Sequence, residues 1–444
     1  MTTLLVRGER VMLPGGERAA TVRVRDGRIV GVGGHGDRVA GVPVLDAGSL
    51  VVLPGLVDTH VHINDPGRDD WEGFEHATRS AAAGGITTLV DMPLNSIPAT
   101  TSVEGLEAKR RAAAGHCYVD VGFWGGVVPG NVLDLGPLAH AGVLGFKCFL
   151  SPSGVDEFGH VAEADLREAM PVVTRLGLPL LVHAESPALL RQPEAGADPR
   201  RYATWLDSRP AASEQAAIEL MIRLAREFGT RIHIVHLASA DALPVLVAAR
   251  SRGVTVTVET CPHYLTFCAE EAADGATALK CAPPIRDRDH RERLWQALES
   301  GAIDLVATDH SPAPPALKHL DDGNFLRAWG GIASLQVSLA VVWTGAFARH
   351  IPLSRLPGWL SEMPARLAGL DRCKGEITAG FDADFVFWDP DQSAVVDARA
   401  LYHRHPVTPY DGARLRGHVV TTILRGQVVF DEGKPINGVH GRSL

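Results

Sequence analysis

The sequence predicts an α/β protein: a (β/α)8 TIM barrel with a smaller β-sandwich domain built from both termini. Three observations carry this expectation. Eight short apolar runs recur through the middle of the chain, helical patterns ending at Gly separate them, and both flanks read as strands and turns.

At the N-terminal end, LLVRGERVML, ATVRVRDGRIVGVG and PVLDAG read as short strands, with RDGR as a hairpin signal. The apolar runs follow: LVVLPGLVDTHVHI (50–63), GITTLVDMP (85–93), YVDVGFWGGV (118–127), GVLGFKCFL (142–150), PLLVHAE (179–185), RIHIVHLAS (231–239), VTVTVET (254–260) and IDLVATDHS (303–311). Short runs of this kind fit strands covered on both faces. Between them lie the helical patterns WEGFEHATRSAAAGG, SVEGLEAKRRAAAG, EADLREAMPVVTRLG, SEQAAIELMIRLAREFG, DALPVLVAARSRG and RDRDHRERLWQALESG. Several begin at Asp, Glu or Ser and stop at Gly, as helix ends do. Alternating strand and helix implies parallel strands with right-handed crossovers, and eight units over about 260 residues match a (β/α)8 barrel. A doubly wound open sheet is the structural alternative, but no G-x-G-x-x-G opens a helix. Residues 376–430 return to strands in EITAGFDADFVFWDP and GHVVTTILRGQVVFDEG. The expected division is 1–53 and 371–444 for the two parts of the sandwich, and 54–370 for the barrel.

Composition narrows the function classes. Hydrophobic content of 45% with 21% charged residues is ordinary globular usage, and 444 residues suffice for one large domain with a satellite. The net charge is 43 − 52 = −9 with no Lys/Arg-rich block, which argues against a nucleic-acid partner. No apolar stretch approaches the roughly 18 residues that would span a bilayer, and MTTLLVRGERVMLPGG lacks a signal peptide's apolar core. No membrane partner is expected. Cys117, Cys148, Cys261, Cys268, Cys281 and Cys373 form no C-x-x-C pair and read as reduced thiols, which places the protein in the cytoplasm.

Active sites in such barrels sit at the carboxyl ends of the strands. The first run ends in an H-x-H, His60 and His62, whose rings share a face because strand side chains alternate. The fourth carries Lys147, the fifth ends at His183, the sixth at His236 and the eighth at Asp309. Singly, each has a bland reading: a core histidine bonded to a carbonyl, or an aspartate capping a helix. Together, four histidines, a lysine and an aspartate at one end of five strands are the hardware of a metal site. An ammonium cannot bind metal, but burial lowers a lysine's pKa and leaves a nucleophilic amine. Carbon dioxide would convert that amine to a two-oxygen carbamate able to bridge two divalent ions. His60, His62 and Asp309 would then hold one ion, and His183 and His236 the other.

GLVDTHVH, AAAGGITT, GFKCFL, VHAE, HLAS, ETCPHYL and TDHSP run in this order through the chain and resemble the cyclic amidohydrolases of the amidohydrolase superfamily. That group holds dihydroorotases, dihydropyrimidinases (hydantoinases) and allantoinases. The resemblance spans nearly the whole chain. It implies two metal ions, usually Zn2+, bridged by carbamylated Lys147, and a homotetramer. It also implies that Asp309 takes a proton from the attacking water and returns it to the departing ring nitrogen.

Mouth loops bear on the substrate. Dihydroorotases carry an Arg two residues after the second histidine, where this chain has Asn64; Arg68 downstream reads as a surface ion pair. Dihydropyrimidinases tend to carry a Tyr after the lysine strand, and SPSGVDEFG has none. DPGRDDWEGFE, MPLNSIPAT, KCAPPIRD, TDHSPAPPALK and AWGGIASLQ resemble allantoinase loops, which implies hydrolysis of allantoin to allantoate. Expected substrate contacts are Asn95, Ser311, the backbone at Cys281 and Ala282, and Gly330 and Gly331, which permit close main-chain approach. Asn95 and Ser311 could equally be turn and cap residues. Other readings are a hydantoinase, a dihydropyrimidinase, a dihydroorotase-like enzyme, or a non-catalytic homologue. Of the remaining histidines, His263 is expected beside the site, His310 is expected to point away from Asp309, and His76, His290, His403 and His405 are expected at the surface.

Overall fold

A computed structural model of the chain describes residues 3–434 and 438–444. The N-terminal strands are β1 (Thr3–Leu13), β2 (Gly16–Arg25), β3 (Arg28–Gly34), β4 (Val44–Asp46) and β5 (Val51–Pro54). In β2 a two-residue period places Ala20, Val22 and Val24 inside and Arg23 and Arg25 outside. Asp26 and Gly27 both adopt positive φ, 49° and 78°, the geometry of a two-residue hairpin, where RDGR predicted one.

The barrel follows: β6 (Leu56–Val61), β7 (Ile86–Asp91), β8 (Asp120–Phe123), β9 (Gly125–Gly126), β10 (Phe146–Phe149), β11 (Leu180–His183), β12 (Ile232–Ile234), β13 (Val256–Thr260) and β14 (Leu305–Val306). Each of the eight apolar runs contains one barrel strand, and all pairs are parallel. The third strand is broken at Trp124, so that β8 pairs with β7 while β9 pairs with β10. A bridge between Val61 and His310 closes the ring. Helices Phe74–Ala83, Val103–Ala113, Glu163–Leu176, Ala211–Phe228, Leu243–Ser251 and Arg288–Ser300 fall on the six helical patterns. Helix Ser338–Ala348 escaped that reading because it is apolar on most sides. It lies against the strand Arg414–Leu424, and Trp343 Nε1 donates to Pro390 O at 2.8 Å.

The chain then returns to the outer sheet through β15 (Phe385–Val395), β16 (Arg414–Leu424) and β17 (Gln427–Asp431). The order is β17-β16-β15-β5-β1-β2-β3, with β4 on β1, so both ends of the chain share one eight-stranded sheet. Val6, Val22, Val52, Phe385, Phe387 and Ile423 belong to its own apolar cluster. A buried charge cluster fastens this sheet to the barrel. Lys374 Nζ meets Asp120 of β8 and Asp384, both at 2.7 Å, and Asp382 at 3.1 Å. Lys374→Met is expected to cost about 3–5 kcal/mol, because buried Asp384 loses its cation and Asp120 and Asp382 are left to Arg425 and Arg28. Urea unfolding of the variant against wild type measures it.

Candidate metal centre and substrate cavity

The strand order brings the six singled-out residues to one end of the barrel. Asp309 Oδ1 lies 3.1 Å from His60 Nε2 and 3.3 Å from His62 Nε2. His183 Nδ1 is 2.9 Å from His236 Nε2, and the His236 ring centroid is 5.3 Å from that of His60. Lys147 Nζ sits 4.8 Å from the centre of the Phe149 ring, which stacks on His183 at 4.5 Å. His236 and Asp309 hold positive φ of 41° and 46°. Such backbone costs about 1–3 kcal/mol per residue and persists where the surroundings over-determine it. For His236 part of that constraint is a bond from its N–H to Glu259 Oε1 at 3.1 Å.

The charge pattern suits a cation. Burial works against protonation of His60, but the carboxylates of Asp309 and Glu259 outweigh it and hold its pKa at about 9. The same carboxylates would favour a divalent ion at that point. His183 is lowered well below its ordinary value by burial and by Lys147; His236 is lowered likewise by burial, His183 and Lys147. Both are neutral imidazoles with nitrogens able to bind metal. Lys147 is fully buried, and its Nζ has no hydrogen-bond partner among the described residues. Burial lowers its pKa to about 8, against the pull of Glu259 and Asp309. The donor atoms of His60, His62 and Asp309 lie within 4.8 Å of one another. This donor set fits a divalent metal.

Carboxylates stand behind the imidazoles, and the sequence reading missed them. Glu259 of β13 takes His60 Nδ1 on one oxygen and His233 Nε2, at 3.0 Å, on the other. Glu185 Oε2 lies 2.7 Å from His183 Nε2 and also pairs with Arg209. A carboxylate behind a ligating imidazole fixes its tautomer and orientation. Glu259→Gln is expected to lower turnover about 10–100-fold with the fold retained. Steady-state kinetics with circular dichroism checks both halves.

Above the histidines lies a cavity of about 270 Å³. Asn95, Cys281, Ala282, Ser311, Gly330 and Gly331, the six expected substrate contacts, all line it. At Gly331 a Cβ would fall 2.2 Å from Ser311 O, so that only glycine lets these two segments meet. Trp205, Arg209, Lys280 and Trp329 also line the cavity and were not singled out from the sequence. Trp205 Nε1 donates to Cys281 O at 3.0 Å, and Lys280 Nζ lies 4.3 Å from the centre of the Trp205 ring.

His263 is fully buried just past β13, and neither ring nitrogen has a protein partner among the described residues. His310 turns away from the cavity toward Glu72, at 3.5 Å, and its Nδ1 accepts from Ser334 N at 3.2 Å. The surface assignment of His403 is corrected: it is buried, with its ring 4.9 Å from that of His310. His76, His290 and His405 are partly covered rather than free at the surface. His290 Nδ1 accepts from Ala240 N at 2.9 Å, and His405 Nε2 bonds Asp70 O at 2.7 Å. Their sequence neighbours are polar, but segments distant in the chain fold over them.

Residues 51–429 match the Amidohydrolase family. The chain is 52% identical over 433 residues to an allantoinase of Streptomyces avermitilis, covering 97% of this chain and 96% of that one. It is 45% identical to an allantoinase of Arabidopsis thaliana, over 97% and 88% of the two chains. Among solved structures, the L-hydantoinase (dihydropyrimidinase) of Arthrobacter aurescens superposes with a TM-score of 0.94 at 32% identity, over 100% and 99% of the chains. With this match, these relatives and a barrel that gathers histidine and carboxylate side chains at its strand ends, the chain belongs to the amidohydrolase family.

Proposed function

We infer that the chain is a cyclic amide hydrolase that opens the ring of allantoin to give allantoate. Near-full-length identity to allantoinases carries this reading. The cavity supports it. Asn64, where dihydroorotases carry Arg, is buried at φ 66° and donates to Pro312 O at 3.4 Å, and of the cations on the cavity wall Arg209 is paired with Glu185 while Lys280 Nζ donates to Ala328 O at 2.6 Å. A hydantoinase is the second reading, favoured by the fold likeness to the L-hydantoinase.

His60, His62 and Asp309 would hold one divalent ion and His183 and His236 a second, with a carbamate on Lys147 as a further oxygen ligand and zinc as the metal that the family resemblance implies. When bound, such ions supply Lewis acidity and lower the pKa of water. Lys147, as the free amine, forms one N–C bond to carbon dioxide and releases one proton, leaving an anionic carbamate. Asp309 accepts the proton of the attacking water on its carboxylate and delivers it to the ring nitrogen as the C–N bond breaks. Asn95 and Ser311 orient the neutral amides, and the glycine pair lets the backbone approach the ring. Homotetramer assembly follows from the family resemblance. A cytoplasmic setting is supported by six unpaired cysteines, five of them buried. Among the described residues no helix is long and apolar enough to cross a membrane.

The test is turnover of allantoin, hydantoin and dihydrouracil by the metal-loaded protein, with allantoate measured as product. The highest kcat/KM is expected on allantoin, with loss of activity in a chelator. Absence of allantoate formation with metal bound would overturn the assignment.

A further inference from the structure

We propose that Arg68 is a specificity-determining positioning residue: it clamps three mouth loops so that Asn95 is held as an acceptor for a substrate N–H. As a surface ion pair, Arg68 would contribute little. Its setting differs. The side chain is 19% exposed, Nη1 donates to the main-chain Asn95 O at 2.7 Å, and the same nitrogen pairs with Glu157. Arg68 lies in the loop after β6, Asn95 in the loop after β7 and Glu157 in the loop after β10.

Further contacts close the ring. The Arg68 guanidinium lies 5.2 Å from the centre of the Trp71 ring, and Trp71 meets Trp329 edge-on at 4.8 Å. A Cβ at Gly154 would lie 3.8 Å from the Trp329 ring. The first two loops touch directly as well. Ile97 N donates to Pro66 O at 2.8 Å, and at Gly67, with φ 90°, a Cβ would stand 2.7 Å from Ile97 Cβ. Asn95, Gly154 and Trp329 line the substrate cavity, so the clamp sets the shape of its wall.

Asn95 is where the clamp reaches the ligand. Its side chain is buried, its backbone holds φ 67°, and its Oδ1 has no protein partner among the described residues. A buried acceptor of this kind suits an amide or ureido N–H. A charge-assisted bond from Arg68 to the Asn95 carbonyl fixes the peptide on which that acceptor sits. The inference rests on the proposed reaction for the substrate class, but the clamp itself rests on geometry alone.

The experiment compares Arg68→Met, Arg68→Lys and Glu157→Gln with wild type. The kinetic arm uses whichever of allantoin, hydantoin and dihydrouracil the wild type turns over, so a wrong substrate assignment leaves this test intact. Arg68→Met is expected to raise KM about tenfold with kcat within about twofold and metal content unchanged. Arg68→Lys should recover part of the KM, and Glu157→Gln should shift it in the same direction by less. Hydrogen exchange over residues 93–98 and 151–158 should quicken in Arg68→Met while the barrel strands stay protected. Unchanged exchange in those loops would overturn the clamp. Quickened exchange with unchanged KM would overturn its role in specificity.

Discussion

Lys147→Ala is expected to lose turnover by roughly 10³-fold or more, together with bound metal, because several kcal/mol of charge stabilisation in the transition state leaves with the ions. The opposite expectation holds if Lys147 is only a core residue. Lys147 is fully buried, its Nζ has no hydrogen-bond partner among the described residues, and removing a buried charge generally relieves a desolvation cost. Lys147→Met separates the two, since it nearly preserves volume and avoids the cavity that Ala would leave. The metal-bridge reading predicts loss of the bound metal together with the stabilisation that its binding gives the folded state, whereas the core reading predicts unchanged metal and an equal or higher melting temperature. Metal analysis and thermal melting of the same preparation decide between them. Intact mass adds a direct check, since wild type should carry the mass of one carbon dioxide at Lys147. With a pKa held near 8, the neutral amine becomes the majority above that pH, so at a fixed concentration of dissolved carbon dioxide the reloading of metal-stripped protein should speed up as pH rises toward about 8 and level off above it. A Lys147→Met protein that kept both metals would refute the bridge.

Asp309→Asn is expected to lower kcat by about 10²–10⁴-fold while the fold persists. The amide is nearly isosteric, but it cannot take a proton at the carboxylate's position. Burial opposes ionisation of Asp309, yet His60, His62 and His236 hold its pKa well below the usual carboxylate range. It is therefore ionised and ready to accept, close to the nitrogens of His60 and His62. Metal analysis separates its two roles. If the ion stays and turnover falls, proton transfer is the part that was lost; if the ion leaves, ligation dominates. Near-wild-type kcat would end both assignments.

The site was legible where a polar residue interrupts or ends an apolar run. Lys147 within GVLGFKCFL and the histidines closing the first, fifth and sixth runs are local anomalies, and the barrel's parallel register carries them to one end. Glu259 at the end of VTVTVET carries the same signal and went unread, although it backs His60. Arg209, Lys280, Trp205 and Trp329 gave no such signal. They sit among polar or turn-forming neighbours, and only loop packing turns them into the cavity. Arg68 does form an ion pair, but not with its acidic sequence neighbours: its partners lie 27 and 89 residues away.

Local pattern along the chain is enough to set the alternation of strand and helix, the two β-rich ends and the candidate metal ligands. Each of these is written in local periodicity or in one residue that breaks it. The tertiary structure decided which carboxylate stands behind which imidazole, and that His403 is buried. It also decided that the two chain ends share one sheet fastened through Lys374, and which loops meet at Arg68. Those outcomes depend on contacts between segments far apart in the chain, whose partners no local pattern names.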